Sequence, residues 1–226
     1  MTVVDSELQG YDDVQKEMME ENCIIVDNND QIIGQDSKIN CHLNEGKLHR
    51  AFSVLLFNSN NKLLIQQRAD EKITFPSIWA NSCCSHPLYQ NGEENGIEGA
   101  KNAAVRKLIQ ELGIQMESIT SENLNFVTKM HYKARADEKW VEHEIDYIFV
   151  VKRDVQINPN SNEIQKTKYV DKRELENLFK LSNNGDVKIG PWFRLIREHF
   201  LDKIWGNLES LKEIEDKQVH HMGEVN

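Results

Sequence analysis

The sequence predicts an α+β protein in which helices cover a β-sheet as an α/β/α sandwich. Three observations carry this prediction. Short apolar segments alternate with polar turn residues, one long amphipathic segment lies between two groups of them, and amphipathic segments fill most of the last quarter of the chain. Elements with one apolar face must bury it against another element, so this pattern folds into layers. The 226 residues suit one domain with a core of its own.

The N-terminal third is predicted to hold a helix followed by two pairs of strands. The helix covers residues 5–20, with Asp5 or Ser6 as its N-cap. Turn-forming residues separate the strands of each pair. The elements predicted after the helix are strand 23–27, turn 28–30, strand 31–34, an irregular polar stretch 35–48, strand 49–57, turn 58–61 and strand 62–68.

The long amphipathic segment, residues 97–112, is predicted to be the central helix. Apolar residues recur about every four positions along it, and Gly113 follows where helices commonly end. The remaining predicted elements are strands 125–134 and 140–151, helix 171–181 capped by Asp171, helix 191–204 with Pro191 in its first turn, helix 206–217 and a frayed end at residues 220–226.

Composition argues against several classes of protein. The formal net charge of −10 disfavours non-specific nucleic-acid binding, because neutralising phosphates needs a basic surface. The four cysteines do not form a disulfide framework, and neither a secretory signal nor an apolar stretch of membrane-spanning length is visible. We expect a cytoplasmic monomer without nucleic-acid or membrane partners. A peroxisomal location stays open, although Glu224-Val225-Asn226 is not a peroxisomal tripeptide.

Two short runs place reactive side chains in pairs. In an extended strand, residues two positions apart point to the same side. Cys84 and His86 form one such pair, and Glu142 and Glu144 form another. If the two runs meet, they supply two metal ligands, a thiol and a carboxylate to one pocket, which is enough for acid–base chemistry.

The central helix carries an altered form of a known sequence box. Its spacing fits the Nudix box, but Lys107 and Gln110 stand where Nudix hydrolases have two carboxylates that hold the divalent ions for diphosphate cleavage. The residues of the box that are typical of the fold are kept, while two of the residues that hydrolysis requires are replaced. An ordinary amphipathic helix with a Lys107–Glu111 pair at i,i+4 is the simpler interpretation of the box alone. The matching residues are Gly92, Glu98, Arg106, Leu108, Glu111, Gly113 and Ile114.

Further motifs extend from about residue 22 to residue 205. They occupy residues 41–42, 48–53, 67–72, 81–87, 131–134, 142–147 and 191–193. With these motifs the chain resembles the type I isopentenyl-diphosphate isomerases, a Nudix-fold family that interconverts isopentenyl and dimethylallyl diphosphates in isoprenoid biosynthesis. The resemblance implies a single domain over residues 1–226 with a mixed central sheet. Its core would lie at about 48–172, with an N-terminal extension at 1–35 and C-terminal helices at 172–218.

The resemblance implies an acid–base pair made of Cys84 and Glu144, with Tyr132 hydrogen-bonded to the carboxylate. Moving a double bond requires one proton to be added and another removed, through a tertiary carbocation. Trp192 would face that cation, and water must be excluded from it. Which group protonates depends on the direction of the reaction.

The resemblance also implies two cation sites and a basic diphosphate site. One divalent ion, Mg²⁺, Mn²⁺ or Zn²⁺, would be bound by His42, His49, His86, Glu142 and Glu144. Glu111 would hold a second ion, Mg²⁺, that bridges to the substrate diphosphate. The substrate-binding residues would be Lys38, Arg68, Lys72, Ser85, Lys107 and Trp192, where Lys107 supplies a point charge at a place often held by arginine.

Neighbouring residues of the same types are expected to have other positions. Cys83 should lie in the core, and His143 should face away from the glutamates on either side of it. His220 and His221 are expected to be solvated. Two alternative functions stay open: a Nudix hydrolase of nucleotide-linked diphosphates, and a non-catalytic module that binds diphosphates.

Overall fold

The computed structural model describes residues 7–90 and 92–225. Its strands are β1 (Asn22–Val26), β2 (Ile32–Ser37), β3 (His49–Phe57), β4 (Leu63–Arg68), β5 (Trp79–Ala80), β6 (Cys83–Ser85), β7 (Asn125–Arg135), β8 (Val141–Lys152), β9 (Ile164–Val170) and β10 (Val219–Val225). Its helices are α1 (Asp13–Met19), α2 (Lys38–His42), α3 (Gly96–Leu112), α4 (Lys172–Asn183), α5 (Pro191–Ile196) and α6 (Asp202–Gly206).

The strands form one mixed sheet, as the sequence predicts. The main path runs in the order β10-β7-β8-β3-β1-β2, and β4, β5, β6 and β9 join it through β3 and β4. The pairs β3–β8 and β10–β7 are parallel, while β7–β8 is antiparallel. Strands β3 and β8 therefore lie side by side in the middle of the sheet, and every residue of β3 is buried.

Helices cover both faces of the sheet and bury two apolar clusters. On one face α3 packs through Ala104 and Leu108, and on the other α4 and α5 pack through Leu175 and Phe193. Alternate residues of a strand enter opposite clusters, as the pleat of a strand requires. In β3, Leu55 belongs to one cluster and Leu56 to the other. The predicted α/β/α sandwich is confirmed.

The ends of the central helix agree with the sequence prediction. Helix α3 ends at Gly113, whose φ of 62° is left-handed and whose N–H donates to the Ile109 carbonyl at 3.0 Å. Asp171 caps α4 through its carboxylate, and Pro191 takes the first position of α5. Capping residues therefore located these helix ends correctly.

Several predicted elements near the two ends are wrong. The predicted helix 5–20 is shorter, because Gly10 has a φ of 90° and Asp12 caps α1; Asp5 and Ser6 lie outside the described residues. The predicted helix 206–217, and with it the extension of the C-terminal helices to residue 218, is wrong. Helix α6 ends at Gly206, and only Leu211–Ile214 forms a further, 3₁₀ turn.

Several elements of the structure were not predicted, among them the two short strands β5 and β6. Helix α2 lies within the stretch 35–48 that was expected to be irregular. Strand β9 was not predicted because its central residues are polar and largely exposed. The predicted frayed end is wrong, since β10 pairs with β7 from Val219 to Val225. Edge strands like β10 are stabilised mainly by backbone pairing, which leaves little apolar pattern in the sequence.

No helix within the described part of the chain is both long enough and apolar enough to cross a membrane.

Candidate functional site

Four neighbouring strands bring the predicted reactive residues to one place. In the parallel pair β3–β8, His49 lies opposite Glu144, and in the antiparallel pair β7–β8, Tyr132 lies opposite Glu144. Strand β6 pairs with β3 so that Cys84 lies opposite Ser53. The thiol, the phenol and the carboxylate therefore converge because of strand register, although they are far apart in the sequence.

These side chains open into one cavity in the sheet face beneath α1. The predicted site residues that line it are Lys38, Arg68, Lys72, Cys84, Ser85, His86, Tyr132, Glu142, Glu144 and Trp192. Cys84 and Glu144 thus share a cavity, which is the condition on which an acid–base pair depends. Lys107 and Glu111 are not among its lining residues, and His42 and His49 lie fully buried behind it.

Five buried ligands form a cluster with the composition of a metal site. One side-chain atom from each of five residues lies within 4.8 Å of the others, and the five are His42, His49, His86, Glu142 and Glu144. His86 Nε2 is 2.8 Å from Glu144 Oε1, and His42 Nε2 is 3.2 Å from Glu142 Oε2. The structure brings together all five residues that the sequence predicted as ligands.

The histidines are oriented as metal ligands usually are. His42 and His49 each donate Nδ1–H to a backbone carbonyl, of Lys38 and Lys47 respectively, at 2.7 Å. Nε2 is then the nitrogen of each ring that faces the carboxylates of the cluster. His49 Nε2 is buried without a hydrogen-bond partner. A divalent cation would satisfy that nitrogen and neutralise the two carboxylates, so the residues fit a metal ion.

Glu144 is the residue shared by the ligand cluster and the cavity. Tyr132 donates its hydroxyl to Glu144 Oε2 at 2.6 Å, while Oε1 faces His86 and, at 3.6 Å, His49. Burial by itself raises the pKa of Glu144. Its interactions with Glu142, with His49 and with the Tyr132 hydroxyl outweigh burial and lower this pKa to about 2.

Cys84 lies in a less polar part of the same cavity. Its side chain packs against the apolar cluster that contains Trp192, whereas Cys83 enters the cluster on the opposite face of the sheet. Burial raises the pKa of the Cys84 thiol to about 12, against the opposing charge of Arg68, whose Nη1 is 3.8 Å from Sγ. The thiol therefore holds its proton in this structure.

The basic residues at the cavity are held by the surrounding loops. Arg68 donates from Nε to the Phe75 carbonyl at 3.0 Å and from Nη2 to the Thr74 carbonyl at 2.8 Å. Its guanidinium also lies 5.6 Å from the centre of the Trp192 ring. Lys72 donates to Glu163 Oε2 at 2.7 Å. Arginine and lysine held at one end of a cavity suit an anionic group.

Lys107 and Glu111 form a buried ion pair next to this basic end. Lys107 Nζ is 3.1 Å from Glu111 Oε1 and 3.8 Å from Glu163 Oε1. Burial lowers the pKa of Lys107, but the two carboxylates outweigh burial and raise it above its ordinary value. The predicted contact of Lys107 with the substrate and the predicted Mg²⁺ ligation by Glu111 stay predictions.

Some residues at the site were not predicted from the sequence. Ser53 and Asp146 line the cavity, with Ser53 Oγ donating to Asp146 Oδ2 at 2.8 Å. Helix α1 contributes Gln15 and Met19 to the cavity wall. Asp146 lies two residues after Glu144, so strand alternation could have located it; Gln15 gives no such signal because its contact depends on tertiary packing.

Other histidines lie apart from the ligand cluster. His143 turns away from the glutamates on either side of it and forms a chain with His131 and His221, through nitrogen–nitrogen distances of 3.1 and 2.9 Å. His220 Nε2 is 2.8 Å from an Asp216 carboxylate oxygen. His143 is therefore outside the site as predicted. His221 is exposed as expected, although it contacts His131, whereas His220 is half-buried beside Asp216.

The sequence is similar to that of many curated proteins. A protein of cattle (Bos taurus) named isopentenyl-diphosphate Delta-isomerase 1 is 51% identical over 93% of this chain and 96% of its own. One of Schizosaccharomyces pombe named isopentenyl-diphosphate delta-isomerase is 46% identical over 95% and 96%. A chloroplastic relative of Arabidopsis thaliana, isopentenyl-diphosphate Delta-isomerase I, is 46% identical over 98% and 80%.

The family and fold comparisons agree with this similarity. Residues 47–193 match the NUDIX domain family. A crystal structure of a Deinococcus radiodurans protein superposes with a TM-score of 0.58 at 17% identity, over 80% of this chain and 100% of that one. At that identity the superposition supports the fold alone.

Proposed function

This chain belongs to the isopentenyl-diphosphate delta-isomerase family and isomerises isopentenyl diphosphate to dimethylallyl diphosphate; we propose that it does so with Cys84 and Glu144 as its acid–base pair. The observation that carries the proposal is that both side chains line one cavity. The reaction adds a proton at one end of the alkene and removes one from the neighbouring carbon, through a tertiary carbocation. Because it runs in both directions, each group is the acid in one direction and the base in the other.

The surroundings of the pair suit a carbocation. Aromatic rings attract cations at their faces. Trp192 lies at the cavity wall and is 3% exposed, and its Nε1–H donates a hydrogen bond to Asn81 Oδ1 at 2.9 Å. Tyr132 holds Glu144 in place through its hydroxyl. Helix α1 contributes Gln15 and Met19 to the cavity wall, and exclusion of water from the cavity would protect the cation from capture.

The five-residue cluster is proposed to bind one divalent ion, Mg²⁺, Mn²⁺ or Zn²⁺. When bound, the ion supplies positive charge that sets the acidity of the Glu144 carboxyl group. His42, His49 and His86 would hold it together with Glu142 and Glu144. A second ion, Mg²⁺, is proposed to share the substrate diphosphate with Glu111.

The diphosphate is proposed to bind at the basic end of the cavity. Lys38, Arg68 and Lys72 line that end, and Ser85 adds a hydroxyl. Lys107 does not line the cavity. It is held in a buried ion pair with Glu111. The hydrocarbon is proposed to lie next to Cys84 and Trp192. Arg68 is where the basic and the apolar parts of the cavity meet, since its guanidinium lies 3.8 Å from Cys84 Sγ and 5.6 Å from the centre of the Trp192 ring.

We propose that residues 1–226 form one monomeric domain. The N-terminal β1–β2 pair and the C-terminal β10 belong to the same sheet as the core strands, which supports a single unit.

The acid–base proposal is tested by incubating the pure protein with isopentenyl diphosphate and divalent metal in D₂O. We expect the wild-type protein to place solvent deuterium in dimethylallyl diphosphate. Cys84→Ala and Glu144→Gln are each expected to lower turnover by about a thousandfold or more, since each removes one proton-transfer group.

Cys83→Ala is the matched control, because Cys83 is the adjacent thiol and faces the other side of the sheet. It should keep turnover within about tenfold of the wild type, as it removes no acid–base group. Product without solvent deuterium, or near wild-type turnover of Cys84→Ala, would contradict the mechanism. Release of inorganic phosphate without dimethylallyl diphosphate would point to a hydrolase instead.

A further inference from the structure

A buried carboxylate that no motif pointed to lies between two lysines of the diphosphate end. Glu163 precedes β9 and is 3% exposed. Its Oε2 accepts from Lys72 at 2.7 Å, and its Oε1 lies 3.8 Å from Lys107 Nζ without a hydrogen-bond partner. Burial by itself raises the pKa of Glu163, but the charge of Lys72 and that of Lys107 lower it to about 2, so the group is an anion.

The backbone around Glu163 holds the same loop in place. The Ala69 N–H donates to the Glu163 carbonyl at 3.0 Å. Two residues along, Gln165 donates to the Arg68 carbonyl at 2.9 Å. The start of β9 therefore fixes the segment that carries Arg68 and Lys72, from the side away from the cavity.

We propose that Glu163 is a positioning residue for the diphosphate, which holds Lys72 charged and directed at the anion without touching the substrate itself. Lys72 lines the cavity and Glu163 does not, so Glu163 acts through the lysine. This inference rests on the proposed function, since it assumes that Lys72 contacts the diphosphate.

The need for such a residue follows from the burial of Lys72. Its side chain is 10% exposed, and an ammonium group taken out of water loses its proton more easily unless an anion compensates. Burial lowers the pKa of Lys72 to about 8, and the nearby charge of Glu163 limits that decrease. The charged groups that face Lys72 are Glu163 from the loop before β9, Arg68 of β4, Lys38 of α2 and Lys107 of α3. Three of the four are cations, so Glu163 supplies the compensating charge.

The test is the variant Glu163→Gln, which keeps the shape of the side chain and removes its charge. Binding of inorganic diphosphate with Mg²⁺ to the metal-loaded protein is measured by calorimetry, and KM and kcat are measured with isopentenyl diphosphate. For Glu163→Gln near pH 8, we expect Kd and KM to be about tenfold or more above the wild-type values and kcat to stay within about twofold. The substitution weakens binding of the diphosphate and leaves the proton-transfer groups unchanged.

The pH dependence separates this role from a merely structural one. A lysine is charged below its pKa, and loss of Glu163 lowers that pKa further. The ratio of variant Kd to wild-type Kd should therefore fall toward one as the pH is lowered to about 6. A ratio that does not change with pH would overturn the proposal.

Two further variants complete the design. In a Lys72→Met background, Glu163→Gln should add less than about twofold to the loss of binding, because the two residues act as one unit. Glu45→Gln is the matched control: Glu45 forms an ion pair with Lys133 at the same 2.7 Å, but it is 78% exposed and distant from the cavity. It should bind diphosphate like the wild type.

Failure of the inference is distinguishable from failure of the proposed function. If the wild type forms no dimethylallyl diphosphate, the function fails whatever Glu163→Gln does. Suppose instead that the wild type forms dimethylallyl diphosphate and that, at every pH, Glu163→Gln binds inorganic diphosphate as tightly as the wild type does. The function then stands and the inference is wrong. Glu163→Asp, which keeps the charge, should recover part of the binding and so checks that Glu163→Gln is not simply misfolded.

Discussion

Glu144 divides its two carboxylate oxygens between the cavity and the metal-ligand cluster. Oε2 accepts from the Tyr132 hydroxyl at 2.6 Å, and Oε1 faces His86 at 2.8 Å. In the proposed mechanism this residue couples proton transfer to the charge of the cluster. Among the partners of Glu144, Tyr132 is not itself a proposed metal ligand, so its hydroxyl can be removed while all five proposed ligands are kept.

Tyr132→Phe is expected to lower kcat by about 10- to 100-fold, which corresponds to the loss of one hydrogen bond to a charged group. KM should change little, because the phenol donates to Glu144 and not to the basic residues proposed to bind the diphosphate. Steady-state kinetics at saturating metal will measure both. Tyr169→Phe is the matched control, since Tyr169 lies on β9 outside the cavity lining; if it lowers kcat as much as Tyr132→Phe does, the assignment is wrong.

The two altered positions of the Nudix box have structural explanations at the residue scale. Lys107 puts an ammonium group between Glu111 and Glu163, where its positive charge offsets part of the negative charge of two buried carboxylates. Gln110 approaches the sulfur of Met18 on α1 at 3.6 Å. One change compensates buried negative charge next to Lys72, and the other contacts the helix that contributes Gln15 and Met19 to the cavity wall.

At the scale of elements, the C-terminus of α3 requires glycine at position 113. Gly113 has a left-handed φ of 62°, and a Cβ there would collide with the Asn158 carbonyl. The backbone of Asn158 in turn donates to the Leu112 carbonyl at 2.8 Å. The loop before β9, which carries Glu163, is thus packed directly against the C-terminus of α3.

Gly113→Ala is expected to destabilise the protein by about 2 kcal/mol or more, from the left-handed φ together with the steric collision. Gly206→Ala is the matched control, because Gly206 also ends a helix but has an ordinary φ and no atom within 4 Å of an added Cβ. Urea unfolding followed by circular dichroism will compare the two. Equal stability of Gly113→Ala and the wild type would contradict the argument.

Periodicity and caps predicted most of the elements, and the exceptions share a cause. Helix α3 buries one face over many residues and β8 is buried along nearly its whole length, so their patterns are readable in the sequence. Helix α2 has five residues, and β9 and β10 expose much of their length. Such elements are stabilised by the partners they pack or pair with, which a local pattern does not record.

At the scale of the whole molecule, the cluster of five ligands joins elements from distant parts of the chain. His42 comes from α2, His49 from β3, His86 from the residue after β6, and the glutamates from β8. A cation bound there links these segments in the folded state and has no comparable site in the unfolded chain. Metal binding should therefore stabilise the fold.

Removal of divalent ions by a chelator is expected to lower Tm, and adding Mn²⁺, Zn²⁺ or Mg²⁺ back should restore it. At a free ion concentration a hundredfold above Kd the stabilisation is about 2.7 kcal/mol. Differential scanning calorimetry measures the change without reference to activity. His42→Ala should abolish the metal-dependent part, while His143→Ala, whose ring points away from the cluster, should keep it. If the Tm of the wild type changes neither with chelator nor with added metal, the proposed metal site is contradicted.

The sequence by itself determined the residue types, the central helix and the alternation of side chains along a strand. This alternation puts Cys84 and Cys83 on different faces of the sheet, and Glu144 and Glu142 on the same face. Those features are local, because side-chain direction follows from the pitch of a helix and the pleat of a strand. Only the tertiary structure decided that β3, β6, β7 and β8 lie in a register that brings Cys84, Glu144 and Tyr132 to one cavity. It alone placed Glu163 between two lysines and α1 in the wall of the cavity, since contacts between segments far apart in the chain arise from packing of the whole core.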